Sequence, residues 1–403
     1  MRRSLTILTG ILVCALTVVG ATSRTETSAP QIDPLTPTAL SVVELRQRIA
    51  EARQLLQHDT TISRDSVRLA ALDSTSGELT TIPLSKDEFL TKNADIEATT
   101  GAGDRVRVRV VRANGVNTAV TISDATTDES LLPLVVQFPI VRNGAITEVA
   151  YYTSAHPALS SSELTSNGQS YIRTMLDQAA ANLAAQGVTI PSDIVDIAEH
   201  LCVVEHTDHK RFMTENAGDL FPEILSLYAL NQGNTFRYSV STAGAGGMIQ
   251  MIPKTYEAIR QSHPTAALNS DFVTGMRDHS NALKAMLLYM NDTWNGLANS
   301  SEVQDAMKSG IASKPELLAA GYNSNPVRLP KYLKAGGAEW RSLIPAETQM
   351  YLAIYGSVDK NLELTNASAT AGQTTGMALS VEAPKPFPIL SWLRASLIGA
   401  MFR

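Results

Sequence analysis

The sequence predicts an α+β, multidomain chain in which a β-hairpin-rich N-terminal module precedes a mostly α-helical domain. Arg105-Val106-Arg107-Val108-Arg109-Val110 alternates strictly, and Asn114-Gly115 and Asn143-Gly144 stand where hairpins turn. Beyond Pro157 the apolar residues recur at helical spacing, as in Tyr171, Met175, Leu176, Ala179, Leu183 and Ala184. With 403 residues, 44% apolar and 18% charged, the chain is long enough for two or three domains. Only 5% is aromatic, so the cores must be mostly aliphatic. This composition excludes disordered, collagen-like and multi-span membrane classes. A net charge of −6 argues against broad electrostatic capture of nucleic acid.

Residues 1–21 read as a signal peptide. Arg2 and Arg3 form a basic start, Leu5 to Val19 is apolar, and Val19-Gly20-Ala21 offers a small-residue cleavage site. Cleavage after Ala21 removes two arginines and no acid, taking the net charge from −6 to −8. The expectation is export to the periplasm or cell envelope; left uncleaved, the segment would be a membrane anchor. Val13 before Cys14 does not fit a lipoprotein signal. The other cysteine, Cys202, then has no partner for an intramolecular disulfide.

Residues 22–40, rich in Ser, Thr and Pro, form a flexible lead-in. Residues 41–155 combine a helix with the β-rich module. Val42, Leu45, Ile49, Ala52 and Leu56 follow a 3-4-3-4 spacing, the seam of a helix docked on its own domain. One hairpin runs from Arg105 to Ile122 through Asn114-Gly115, a second from Leu134 to Tyr152. The Arg105, Arg107 and Arg109 stripe reads as a solvated strand face. Residues 157–360 are helices with polar connections. Gly187 stops the first of them, and Ser192 is the candidate N-cap of the next. Residues 365–388 form a linker, and 389–403 a short apolar segment that packs back or lies at an interface.

The helix beginning near Ser192 carries two acids with opposite expectations. At 100° per residue, Glu205 falls about 20° from Ile194, within the apolar face, whereas Glu199 falls about 140° away. Desolvation, together with the helix C-terminus, raises the pKa of a carboxyl so placed. It is then either a general acid or a glutamate satisfied by a distant Arg or Lys. The segment from Ser241 to Thr255 places Gly244, Ala245 and Gly247 where backbone must approach something closely. It sets Gln250 among apolar residues and lacks the Lys-Ser/Thr of a phosphate loop.

Four elements occur in order across about residues 193–356: Val-Val-Glu205-His206, the Ser241 to Thr255 segment, Ala320-Gly321-Tyr322-Asn323-Ser324-Asn325-Pro326, and Glu347-Thr348-Gln-Met-Tyr351. In them the chain resembles the lytic transglycosylases of the soluble-lytic-transglycosylase type. That pattern is a helix-terminal Glu usually followed by Ser, then S-x-x-G-A-x-G-L-M-Q-x-M-P-x-T, A-Y-N-A-G-P and E-T-x-x-Y. His206 departs from the usual Ser, and Ser324-Asn325 from Ala-Gly. About 35 residues separate Glu205 from Ser241, a longer gap than usual, with Glu215 and Glu223 as alternate acids. The additional stretch, Gly218 to Tyr238, is expected to pack as a helix against the cleft wall.

The resemblance implies a lysozyme-like catalytic domain and peptidoglycan glycan strands as the partner. It implies cleavage of the β-1,4 bond between N-acetylmuramic acid and N-acetylglucosamine, with 1,6-anhydro ring closure and no cofactor. Glu205 would be acid and then base. Ser241, Gln250, Tyr322 and Asn323 would orient the sugar, with Tyr351 in support. Two other readings stay open: a hydrolytic muramidase using Asp208 as second acid, and a non-catalytic peptidoglycan-binding protein. His206, Asp208 and His209 read as a polar helix-end loop rather than a metal site. Cys202 reads as a small buried residue, and Trp294 and Trp340 as core or sugar-stacking groups.

Overall fold

A computed structural model describes residues 40–58 and 62–362. The expected signal peptide, lead-in, linker and C-terminal apolar segment lie outside the described residues. Among those described, no helix is long and apolar enough to cross a membrane.

The chain mixes helix and sheet. Helix α1 (Val42–His58) precedes strands β1 (Ser66–Asp73) and β2 (Leu79–Ser85), the single turn α2 (Lys86–Phe89), and β3 (Asp95–Thr99), β4 (Arg105–Arg112), β5 (Ala119–Asp124), β6 (Ser130–Arg142) and β7 (Ala145–Tyr152). The seven strands make one antiparallel sheet, ordered β2-β1-β6-β5-β4-β3 with β7 also on β6. The Gly101 amide donates to the Thr81 carbonyl at 2.8 Å, so the two ends of the sheet nearly close. Alternation decides what goes inside. Val106, Val108 and Val110 of β4 join Ile82, Phe89 and Val136 in the interior, while Arg105, Arg107 and Arg109 stay exposed. The arginine stripe is balanced by its neighbour strand: Arg107 pairs in register with Glu97 and Arg109 with Asp95, and Arg105 bonds Glu97 at 2.8 Å.

Asn143 and Gly144 both adopt positive φ in the tight β6–β7 turn. Pro133 is tolerated in β6 because the β1 ladder slips a residue beside it, where Ala70 meets Val135 and Ala71 meets Pro133. Strands β4 and β5 form the expected hairpin through Asn114-Gly115, but its turn is longer than two residues. Thr118 Oγ1 accepts from the Asn114 amide and donates to the Gly115 carbonyl, converting a two-residue hairpin into a longer 3-10 loop. Helix α1 lays its predicted seam on the outer face of the sheet, against Ala70, Leu72, Leu132 and Leu134.

Helices follow: α3 (Ser162–Ala185), α4 (Ser192–Val204), α5 (His209–Thr214), α6 (Ala217–Asn231), α7 (Pro253–Ser262), α8 (Phe272–Arg277), α9 (His279–Leu297), α10 (Ser301–Lys308), α11 (Lys314–Asn323), α12 (Leu329–Gly336) and α13 (Ala346–Asn361). Gly187, at φ +86, ends α3, its amide bonded to the Ala184 carbonyl. Pro191 rather than Ser192 occupies the N-cap of α4, and Ser192 is the first helical residue.

The stretch after Gly218 forms the expected helix, α6, packed in the core behind the elements that carry the cleft. It does not line the cleft described below. Leu220, Phe221, Ile224, Leu225 and Tyr228 belong to the helical core, Leu227 to the sheet interior, and Ala229 and Leu230 to the layer under α1. From Leu220 to Asn231 all but Pro222 and Glu223 are buried, so the helix gives most of its surface to the core. It crosses α3 so closely that a Cβ on Gly168 would sit 1.9 Å from the Leu225 carbonyl oxygen. Polar bonds fasten the same helix to the sheet. Asn231 accepts from the Thr153 amide and donates to its carbonyl, both at 2.8 Å, and Glu223 pairs with Arg112 at 2.9 Å.

Gly168→Ala should therefore cost about 3 kcal/mol, because helix backbone rather than a movable side chain blocks the new methyl. Urea unfolding would read it as a lower midpoint at unchanged slope. Replacing Phe221 to Asn234 with a Gly/Ser linker should abolish the cooperative transition altogether.

Candidate active site

The last turn of α4 supplies the acid. Glu205 caps the helix, with its amide still bonded to the Leu201 carbonyl at 3.0 Å. The helix-end carbonyls are met from outside and from the following turn. Tyr228 Oη donates to Cys202 O at 3.2 Å and Thr207 Oγ1 to Val203 O at 2.9 Å. The Glu205 side chain, half-buried, enters a cleft of about 680 Å³. Tyr351 of α13 donates its hydroxyl to Glu205 Oε1 at 2.5 Å. Burial pushes the Glu205 carboxyl up to about 8, against the lowering effect of the Tyr351 bond, and the Glu347 carboxylate adds to the rise.

The opposite wall is the glycine-rich turn. The Ser241 amide donates to Ala245 O at 2.9 Å, and Ser241 Oγ accepts the Ala245 amide at 3.0 Å. Gly247, at φ +69, lies against α8, where a Cβ would meet the Met276 carbonyl oxygen at 2.2 Å. Gln250 has left-handed backbone, φ +45, and donates Nε2 to Gly247 O at 2.7 Å and Ser239 Oγ at 3.1 Å. At the end of α11, Tyr322 donates to Ile249 O at 2.8 Å, and Asn323 Oδ1 accepts from Thr348 Oγ1 at 2.8 Å. Tyr289 sets its ring edge-on against Tyr322, 5.6 Å between centroids.

Glu205, Ser241, Gln250, Tyr322, Asn323 and Tyr351 thus line one cleft. Glu347 and His209 line it too, and neither was singled out for it. For Glu347 a signal existed: it precedes Tyr351 by four residues, which on a helix puts both on one face. His209 carried none.

Other expectations need correction. Glu199 is not turned to solvent: it is 1% exposed, 3.4 Å from Arg173 Nη1, and burial pushes it up to about 7 against that arginine. Helix α4 is buried nearly all round, so helical phase alone did not separate the two acids. The alternate acids lie outside the cleft lining, Glu215 bonded to Arg211 and Glu223 to both Arg211 and Arg112. Burial opposes ionisation of Glu223, but the two arginines prevail and hold it low. Asp208 is spent on capping α5, accepting from the Arg211 amide at 2.8 Å. Trp340 is buried in a satellite core, and Trp294 lies under Lys314 Nζ at 4.7 Å; neither lines the cleft. Cys202 is fully buried, and burial pushes its thiol up, so it offers no thiolate. Among the described residues no three or more His, Cys, Asp or Glu side chains gather as a metal site.

Compared with protein-family models, curated proteins and solved structures, the chain matches none.

A carboxyl raised by folding destabilises the fold as pH rises. Between its unfolded value near 4.3 and about 8, the native state holds a proton that the unfolded chain has released. Glu205→Gln, which can still accept from Tyr351, should raise Tm relative to wild type at pH 8, and the gain should shrink towards pH 5. Paired thermal melts across that range test the sign.

Proposed function

We propose that the chain is a peptidoglycan lytic transglycosylase-like enzyme of lysozyme-like fold, cleaving the N-acetylmuramic acid–N-acetylglucosamine β-1,4 bond. One observation carries the reading: the Glu205 carboxyl at the end of α4 faces the cleft that the four motif elements line, hydrogen-bonded by the Tyr351 hydroxyl with no cation beside it among the described residues, and burial pushes its pKa up. Glu205 would protonate the glycosidic oxygen as the C1–O bond breaks. The resulting carboxylate would take the proton of the muramyl C6 hydroxyl, whose oxygen bonds C1 and closes the 1,6-anhydro ring. Proton and electron pair balance without water. Ser241, Gln250, Tyr322 and Asn323 would orient the sugar, and Tyr351 would hold the acid in place. No cofactor is needed for these steps. Export to the cell envelope rests on the N-terminal segment and belongs to the same proposal.

A hydrolytic muramidase is the second reading, and Glu347 favours it. Its exposed carboxylate lines the same cleft and could activate water, a role Asp208 is not placed to play. Mass spectrometry of digested peptidoglycan separates the two readings, since anhydro ends are one water lighter than reducing ends.

Glu205→Gln should abolish turnover while leaving glycan binding intact. Because the acid must be protonated, kcat/KM should hold below about 8 and fall above it. Binding of glycan without products from the wild-type protein would instead support a non-catalytic peptidoglycan-binding role.

A further inference from the structure

We propose that His206 is a positioning residue for Glu205, clamped between the Phe236 ring and the Met248 carbonyl, so that the segment after α6 sets the acid's place in the cleft. The proposal rests on the reading of Glu205 as the acid. His206 follows Glu205 directly, so whatever fixes its backbone fixes the exit of the acid from α4. Its Nε2 lies 3.0 Å from Met248 O. A carbonyl only accepts, so Nε2 carries the proton and donates. The imidazole lies flat on Phe236, centroids 3.4 Å apart and planes within 6°. Burial pushes the imidazole down to about 3, which keeps the ring neutral in both contacts.

Each jaw of the clamp is itself braced. Phe236 takes φ +54, a region bulky residues rarely adopt, and Tyr228 meets its ring edge-on at 5.3 Å. Next to it, the Thr235 carbonyl accepts from His279 Nε2 at 2.8 Å. Met248 lies in the turn whose Ile249 carbonyl receives Tyr322 and which leads into Gln250. One ring therefore links the acid to the wall that would hold the sugar. Two of the features that set this chain apart from the pattern it resembles, His206 after the acid and the long stretch before the glycine-rich turn, meet face to face.

The test uses the purified full chain with peptidoglycan as substrate. His206→Gln keeps an Nε2 donor and His206→Leu removes it; Phe236→Tyr keeps the flat ring and Phe236→Leu removes it. Each Leu variant should lower kcat about 10- to 100-fold with KM within about twofold, and the conservative variants should recover to within about fivefold of wild type. The double Leu variant should lose no more than either single one, because the pair acts as a unit. Carbon-13 NMR of glutamate-labelled protein should show the Glu205 midpoint falling towards the ordinary carboxylate range in His206→Leu and staying high in His206→Gln. Equal losses in the Leu and Gln variants overturn the proposal, as do unchanged kcat and Glu205 midpoint in a folded His206→Leu. If the wild-type chain yields no products, the enzymatic reading fails, while the Glu205 midpoint still decides the positioning. If His206→Leu does not fold, His206→Asn replaces it, since its amide ends short of Met248.

Discussion

Helix α6 is buried along most of its length, from Leu220 to Asn231 apart from Pro222 and Glu223, and much of the structure packs on it. Its side chains enter three apolar clusters at once: the helical core, the sheet interior and the layer beneath α1. At about 1.5–3 kcal/mol for each fully buried large apolar side chain, the gross burial of this helix is comparable to the usual net margin of a domain, before the conformational entropy that opposes it. The closeness of its crossing with α3 depends on a missing Cβ at Gly168. The same helix ends in Asn231, which fixes the exit of the sheet at Thr153, and sends Tyr228 to the last turn of α4. Helix α6 thus joins sheet to helices, alongside the Glu148 pairs with Arg237 and Arg277, and braces the helix that ends in Glu205.

Two carboxyls on α4 show how partners, rather than burial alone, decide what a desolvated acid becomes. Glu199 is the more buried, yet it meets a guanidinium, and Arg173 works against the rise. Its Oε1 has no hydrogen-bond partner. Glu205 opens onto the cleft, yet burial is the main cause of its rise; it meets only a phenol, and a second carboxylate, Glu347, stands nearby. A neutral donor satisfies a lone pair without stabilising ionisation as much as a cation does. Of the two, Glu205 is the one that faces the cleft with no cation among the described residues to favour loss of its proton.

The sheet was largely legible because alternation and turn chemistry are local: β4 and the Asn143-Gly144 turn follow from neighbouring residues. Where a side chain rewrote the turn, as Thr118 did, the dipeptide rule predicted the hairpin but not the length of its turn. The cleft was legible through ordered motifs rather than helical phase. The burial of Glu199 depends on Arg173, a whole helix earlier, and no pattern within α4 announces it. The destination of α6 was legible only in part for a related reason: its composition shows that it is buried but not against what. Nearness in sequence to two cleft elements did not amount to nearness in space, because the helix leaves the acid, crosses α3 and returns only at Phe236.

The cleft is held without charges. Tyr322 bonds the Ile249 carbonyl, Gln250 the Gly247 carbonyl and Ser239, Asn323 the Thr348 hydroxyl, Ser241 the Ala245 backbone and Tyr351 the acid. The ion pairs of Glu223 with Arg211 and Arg112, and of Glu148 with Arg237 and Arg277, involve none of the cleft-lining residues. Neutral hydrogen bonds are not screened by salt, and their donors do not titrate near neutrality. A frame of that kind keeps the walls in place whether or not Glu205, pushed up to about 8 by burial, holds its proton. On the proposed reading of Glu205 as a general acid, a phenol suits it better than a lysine or arginine: a cation would anchor the carboxylate equally well and forfeit its proton.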